Sequence, residues 1–237
     1  LTLVATLIAA QGSVAVLVVL LRPWVLGRIG ASRPAFTSLV QGSVRWNAMV
    51  ALALVGALWG REAVSLAAFG LAAMIPLANL VSVSALAIDG EGREAPGAGG
   101  LASLLVGQLV RNPLIIAVAL GLTLSLTGLT PPKFLFTTLD WLGQASIATG
   151  VLLVGAGIDV SAIRPGPVVM LSAVLKLVVT PLLILAAALA FGLPPLAIGV
   201  AILCGATPTA SAAYVLARRM GGDAPLMARI VATQTVL

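Results

Sequence analysis

The sequence predicts an all-α polytopic membrane protein, and three observations carry that reading. The 237 residues are 60% hydrophobic and only 8% charged, against about 25% charged in soluble domains. The mean hydropathy is +1.17, more apolar surface than a soluble core of this length could hide. The apolar residues come in runs of about 20, the length that crosses a bilayer, and most basic residues fall in the short gaps between them. The formal charge of +6 therefore reads as an orientation signal rather than a nucleic-acid surface. The single Cys204 excludes a disulfide within the chain, and the absence of histidine removes the commonest general base and metal ligand.

Eight apolar stretches follow one another. The first, 1–21, closes at Arg22. The next two, 36–59 and 62–88, form a hairpin around a tight "WGREA" turn. The longest connection contains "IDGEGREAPGAGG" at 88–100, polar and glycine-rich, and reads as a flexible loop between two halves. The short run 101–110 reads as an interfacial lead-in to Arg111. Stretches 112–130, 134–157 and 166–191 follow Arg111, Lys133 and Arg164 in turn. Stretch 195–217 is interrupted by "GATPT", and an "RRMGGDA" turn leads into 224–237. Leu1 and Leu237 both fall inside apolar runs, so eight spans are expected to be a minimum.

Charge fixes the orientation. Alternate loops and their edges hold Arg22, Arg28, Arg33, Arg93, Arg111, Arg164, Arg218, Arg219 and Arg229; the opposite loops hold only Arg61 and Lys133. Nine against two places the first set, and the 88–100 loop, in the cytoplasm, with Leu1 on the outer side. The hairpin 36–88 also resembles the hairpin 195–237. Asn47 and Pro208 sit at comparable places, 161 residues apart, and an offset of five spans makes the second copy inverted. Inverted repeats with broken helices are the plan of many secondary transporters.

Polar residues inside spans are costly and so informative. Pro208 removes a helix hydrogen bond where lipid offers no substitute. Either neighbouring helices and Thr side chains repair a simple kink, or Gly205–Ala210 is a break whose free N–H groups, with the Thr207 and Thr209 hydroxyls, bind a carboxylate. Lys176 lies about ten residues into its span, roughly 15 Å deep, too deep to snorkel. It needs a partner or a substrate, or carbonyls that satisfy it structurally. Arg45 is a mid-span cation if its span starts near Phe36, and an interfacial anchor if it starts near Val40. Asn47, Asn79, Gln144 and Gln234 could glue helices together, with Asn47 set apart by its place in the repeat. Asp140, near the outer end of its span, reads as a solvated helix-start residue or as a proton or cation site.

No Walker A sequence, H-E-x-x-H, C-x-x-C or G-x-S-x-G occurs, and paired intramembrane carboxylates are missing. ATP as direct energy source and a metal-dependent intramembrane enzyme are both disfavoured.

Several phrases resemble the auxin efflux carrier family of membrane transport proteins: "QGSVRWNAMVALALVGALWG" (41–60, with Gln41, Arg45 and Asn47), "RNPLIIAVALG" (111–121), "LKLVVTPLL" (175–183, with Lys176 and Pro181), "ATPTASAAYVLARRMGGD" (206–223) and the final "ATQTVL". The resemblance implies an inverted-repeat transporter fold of ten helices, of which about eight are present here. It also implies that the helices around Asn47 and Pro208 break and cross near mid-membrane, although the stretch around Asn47 has no proline of its own. The expected organisation is the end of a first repeat over 1–88, a cytoplasmic linker over 89–111 and a second repeat over 112–237.

The expected function is a permease or efflux carrier moving small organic anions, auxin-like or dicarboxylate, by alternating access. Gln41, Arg45, Asn47, Lys176, Thr207, Pro208 and Thr209 are the substrate-binding set. No catalytic residue, resident cofactor, metal or nucleic-acid partner is expected, and coupling to protons or sodium is left open. Lipid is the standing partner, a homodimer a further one, and a bacterial inner membrane the expected location. The rivals are a sodium-coupled symporter of similar fold, which would need a cluster of oxygen ligands, and a membrane enzyme or non-transporting subunit.

Overall fold

A computed structural model describes residues 1–91, 99, 100, 103, 106, 107, 110, 111, 113–156 and 164–237. Most of the expected 88–100 loop, including Arg93, and much of the 101–110 lead-in lie outside them. Among the described residues all regular structure is helical. The elements are α1 (Thr2–Leu20), α2 (Arg22–Gly27), α3 (Arg33–Val44), α4 (Ala48–Asp89), α5 (Pro113–Thr127), α6 (Lys133–Ala156), α7 (Pro167–Val174), a π-helical turn (Leu175–Val179), α8 (Thr180–Ala190), α9 (Pro195–Ala206), α10 (Ala212–Arg219) and α11 (Ala224–Val236). Three stretches, Thr2–Gly27, Arg33–Asp89, which contains the interruption between α3 and α4, and Pro167–Ala190, are long and apolar enough to cross a membrane; Pro113–Thr127 and Pro195–Ala206 are shorter apolar helices.

Helix α1 shows how a nearly all-apolar helix still has an inside. Leu3, Leu7, Ala10, Val14 and Val18 recur at helical spacing and are buried, while Ile8, Val16 and Val19 are exposed. In lipid the outer face need not be polar, so composition alone cannot separate the two faces.

Helix α4 is 42 residues long but bends at Gly60, whose φ of +73° lies in the left-handed region that glycine adopts without strain. Arg45, just before α4, and Asn79, well beyond Gly60, line the same small cavity. They lie at similar chain distances from Gly60, so the chain reverses there, and the expected hairpin forms around "WGREA".

Two breaks interrupt the helices. Between α3 and α4 the backbone of Arg45 and Asn47 is extended. Asn47 turns its side chain back and accepts from the Val50 N–H at 3.3 Å, an N-cap that starts the second half-helix without a proline. Between α9 and α10, Thr207 is extended and helix resumes at Ala212, with Pro208 inside the gap. The third irregularity is the π-helical turn. Pro181 has no N–H for the preceding turn, and the Thr180 hydroxyl donates to the Leu175 carbonyl at 2.8 Å.

Two apolar clusters hold the helices together. One gathers Leu7, Trp46, Leu71, Met74, Ile184 and Cys204; the other gathers Val14, Phe36, Leu39, Val169, Met227 and Ile230. The α1–α2 junction meets the end of α4 through Arg22 and Asp89, with Nη2 and Oδ1 2.6 Å apart. At the same end the Glu91 N–H donates to the Gly221 carbonyl at 2.8 Å and the Ser38 hydroxyl to the Asp223 carbonyl at 2.9 Å. The loops near Arg22, Arg33 and Arg218 therefore assemble together. Arg61 lies at the opposite end, paired with Asp140 of α6 at 2.7 Å. Asp140 is thus engaged by Arg61 and also accepts from Gln144 at 3.1 Å.

Candidate functional site

A helix that stops inside an apolar core leaves carbonyls at one end and N–H groups at the next start. The carbonyls of α3 are capped from other helices. Gln11 of α1 donates its Nε2 to the Val44 carbonyl. The Gly42 carbonyl accepts from the Thr209 hydroxyl at 2.8 Å and from Gln234 Nε2 at 2.9 Å. Gln234 Oε1 in turn accepts from the Thr209 N–H at 3.0 Å. One amide of α11 thus holds both breaks, and its Nε2 also reaches the Ser172 hydroxyl at 3.0 Å. Gly42 has no side chain because there is no room for one: a Cβ there would run into the Ser172 hydroxyl and the Ile230 Cγ2.

The expected site residues divide into two groups. Thr207 and Thr209 are buried with their hydroxyls committed to the Cys204 and Gly42 carbonyls. Pro208 lies between them, half-buried. Asn47 is committed through its side-chain oxygen to Val50. Arg45 lies at the break itself, and its Nη1 donates to Asn79 Oδ1 at 3.0 Å. Its place is twelve helical residues into the protein from Arg33, roughly 18 Å along the axis.

Gln41 and Lys176 form the other group. Both side chains are completely buried, and neither Gln41 amide atom nor Lys176 Nζ has a hydrogen-bond partner among the described residues. Lys176 projects from the π-helical turn and places Nζ 5.1 Å from the centre of the Trp46 ring. Trp46 is the middle residue of the first break, and its Nε1 is also unpartnered. A buried amine that faces an aromatic ring, with the buried Cys204 thiol nearby, is desolvated at considerable cost. Gln41 precedes Arg45 by four residues, and its carbonyl accepts the Arg45 N–H at 3.0 Å.

Two cavities flank the first break. A space of about 30 Å³ beside Arg45, Trp46, Met74 and Asn79 has room for about one water. A space of about 540 Å³ begins at Met49, runs past Leu52 and Ala53 between α4 and α6, and ends at Arg61 and Asp140. The larger one is of the size that takes a small organic molecule. Among the described residues no group of three Cys, Asp or Glu side chains could hold a metal ion.

Gln11 and Trp46 escaped the sequence reading. Gln11 left a signal, a lone amide in an apolar run; Trp46 left none, because tryptophan is unremarkable in an apolar span.

A family model described as a membrane transport protein matches residues 4–237. The chain belongs to that family, the membrane transport and auxin efflux carrier family that the motifs resemble. No curated protein matches it. The chain is accordingly an integral membrane protein of a transporter family, not of an enzyme family.

Proposed function

We propose that this membrane transporter is a secondary carrier of small organic anions, working by alternating access around the first break. The observation that carries the proposal is Lys176: an amine buried to completion, without a hydrogen-bond partner among the described residues, beside an interrupted helix. Positive potential at such a place is expensive unless a ligand offsets it.

The helix ends favour an anion over a cation. The carbonyl end of α3 is already covered by Gln11, Thr209 and Gln234. The opposing start of α4 presents the positive end of its dipole, and the Gln41 amide and Trp46 indole N–H are unspent. A carboxylate would take its hydrogen bonds from Lys176, Gln41 and the first turn of α4, with Arg45 adding charge. Thr207, Pro208 and Thr209 would support the site by holding the second break against Gly42. The 540 Å³ space from Met49 to Arg61 is the route we assign to the outer side.

Under this reading, 1–88 is the end of a first repeat, joined by the 89–111 linker to an inverted second repeat over 112–237, and the two broken helices are repeat equivalents. Membrane potential, protons or sodium would supply the driving force, and a bacterial inner membrane would be the setting, with a homodimer as the assembled form. Flux of radiolabelled malonate into proteoliposomes tests the proposal. Saturable uptake that falls at least tenfold in both Lys176→Gln and Asn47→Ala supports it, provided both variants stay folded. Saturable uptake unchanged in both removes the site, and product formation without net transfer makes the chain an enzyme.

A further inference from the structure

We infer that Trp46 is the gate of this anion site: its ring occupies, beside Lys176, the place that a substrate carboxylate takes, and must turn away for substrate to bind. The inference rests on the anion-carrier reading above and adds to it a moving part.

Three observations meet at this residue. First, there is no room for an organic anion where the charges are. The cavity beside Arg45 and Asn79 is about 30 Å³, space for a water rather than a carboxylate with a carbon skeleton. The bulkiest side chain lining it is Trp46, which is buried to 8% exposure. Turning this ring away would join that space to Lys176.

Second, the ring and the amine satisfy each other only in part. Lys176 Nζ sits 5.1 Å from the ring centre, within the range of a cation–π contact. Neither Nζ nor the indole N–H has a hydrogen-bond partner among the described residues. The quadrupole of the ring is a weak stand-in for an anion, so a true carboxylate outcompetes it. A resting site closed by a weak surrogate opens when the stronger ligand arrives.

Third, Trp46 sits where the backbone can turn. The residues on either side of it have extended backbone, between the end of α3 and the start of α4. Its dihedrals can change without breaking an intrahelical ladder, as hinge residues require. The neighbours are anchored. Arg45 is tied to Asn79 and Asn47 to Val50, while the Val44 carbonyl is tied to Gln11. The movement is thereby confined to the residue of the linker whose side chain makes no hydrogen bond among the described residues.

The experiment uses a full chain in which Trp24, Trp59 and Trp141 are replaced by Phe, leaving Trp46 as the sole tryptophan, reconstituted in liposomes. Sodium malonate and sodium phenylacetate are titrated against its emission, with flux measured on the same preparation. The expected result is a saturable change in emission, with the same half-saturation as flux, that disappears in Lys176→Gln. Saturable flux with silent Trp46 emission overturns the gate and leaves the carrier reading intact. An absence of both flux and emission change with either carboxylate overturns the reading and the gate together.

A second measurement separates gating from packing. Removing the surrogate in Trp46→Leu lowers KM for the transported carboxylate by roughly threefold to tenfold, and Trp46→Phe falls between. A merely structural tryptophan gives lower maximal flux in both variants with KM unchanged, and that outcome overturns the proposal.

Discussion

The Thr209 hydroxyl donates to the Gly42 carbonyl at 2.8 Å, tying together two helix breaks 167 residues apart in sequence. Each break leaves backbone groups that lipid cannot solvate. The bond shows how the debt is met: the breaks satisfy each other, with Gln234 serving both.

Gln234→Leu should therefore destabilise the protein well beyond an ordinary amide loss. It orphans the buried Thr209 N–H and takes one donor from Gly42, an expected cost of about 1–3 kcal/mol. The midpoint of thermal unfolding in mild detergent should fall by several degrees. Thr235→Val is the control. That hydroxyl donates to the Val231 carbonyl of its own helix, and its loss should move the midpoint little.

Gly42→Ala and Gly12→Ala should act in opposite directions. A Cβ at Gly42 meets Ser172 and Ile230, and overpacking of this kind costs about 1–3 kcal/mol. A Cβ at Gly12, in the middle of α1, meets nothing within 4 Å. Alanine there should gain about 0.5–1 kcal/mol from helix propensity. Unfolding midpoints of the two variants against the parent decide the matter.

Lys176→Met should raise stability while abolishing transport. It removes a buried amine that has no hydrogen-bond partner among the described residues and keeps an unbranched apolar stem, and replacing buried ionic groups by apolar ones of similar volume is often neutral or stabilising. Flux should fall at least tenfold. A variant that is less stable than the parent would mean that the ammonium has a structural partner.

The two ion pairs should differ in worth. Asp89 is 4% exposed and takes two hydrogen bonds from Arg22, at 3.0 and 2.6 Å. Asp89→Asn should cost about 1–3 kcal/mol. The Arg61 side chain is 66% exposed, and Arg61→Ala should cost under about 1 kcal/mol. Denaturant titration of the two variants in one detergent checks the ranking.

Much of the helical layout was legible because bilayer length and loop charge leave few choices: helices occupy every apolar stretch read from the sequence, and Gly60 turns where "WGREA" predicted. Lys176 was legible from depth alone. The break at Asn47 was legible by position but not by proline, since an N-cap side chain ends one helix and begins another as well as a ring does. The pairing of Gln11 with Val44 and of Gln234 with Gly42 was not legible. Such bonds depend on which apolar face turns inward, and in lipid both faces look alike to a sequence. Trp46 is the hardest case, because its significance comes only from the neighbour that the fold brings to it.

The π-helical turn at Leu175–Val179 makes chain length, and not only chemistry, a constraint. A π turn contains about one residue more than an α turn. Deleting one residue there would restore regular winding and leave the eleven residues of α8 running on in nearly the same direction, but it would remove the turn from which Lys176 reaches Trp46. A substitution in this segment alters one side chain; a deletion removes the turn that presents the amine. Frame length between Ser172 and Pro181 is thus fixed as firmly as any residue identity, and insertions or deletions should be tolerated in the outer loops long before they are tolerated here.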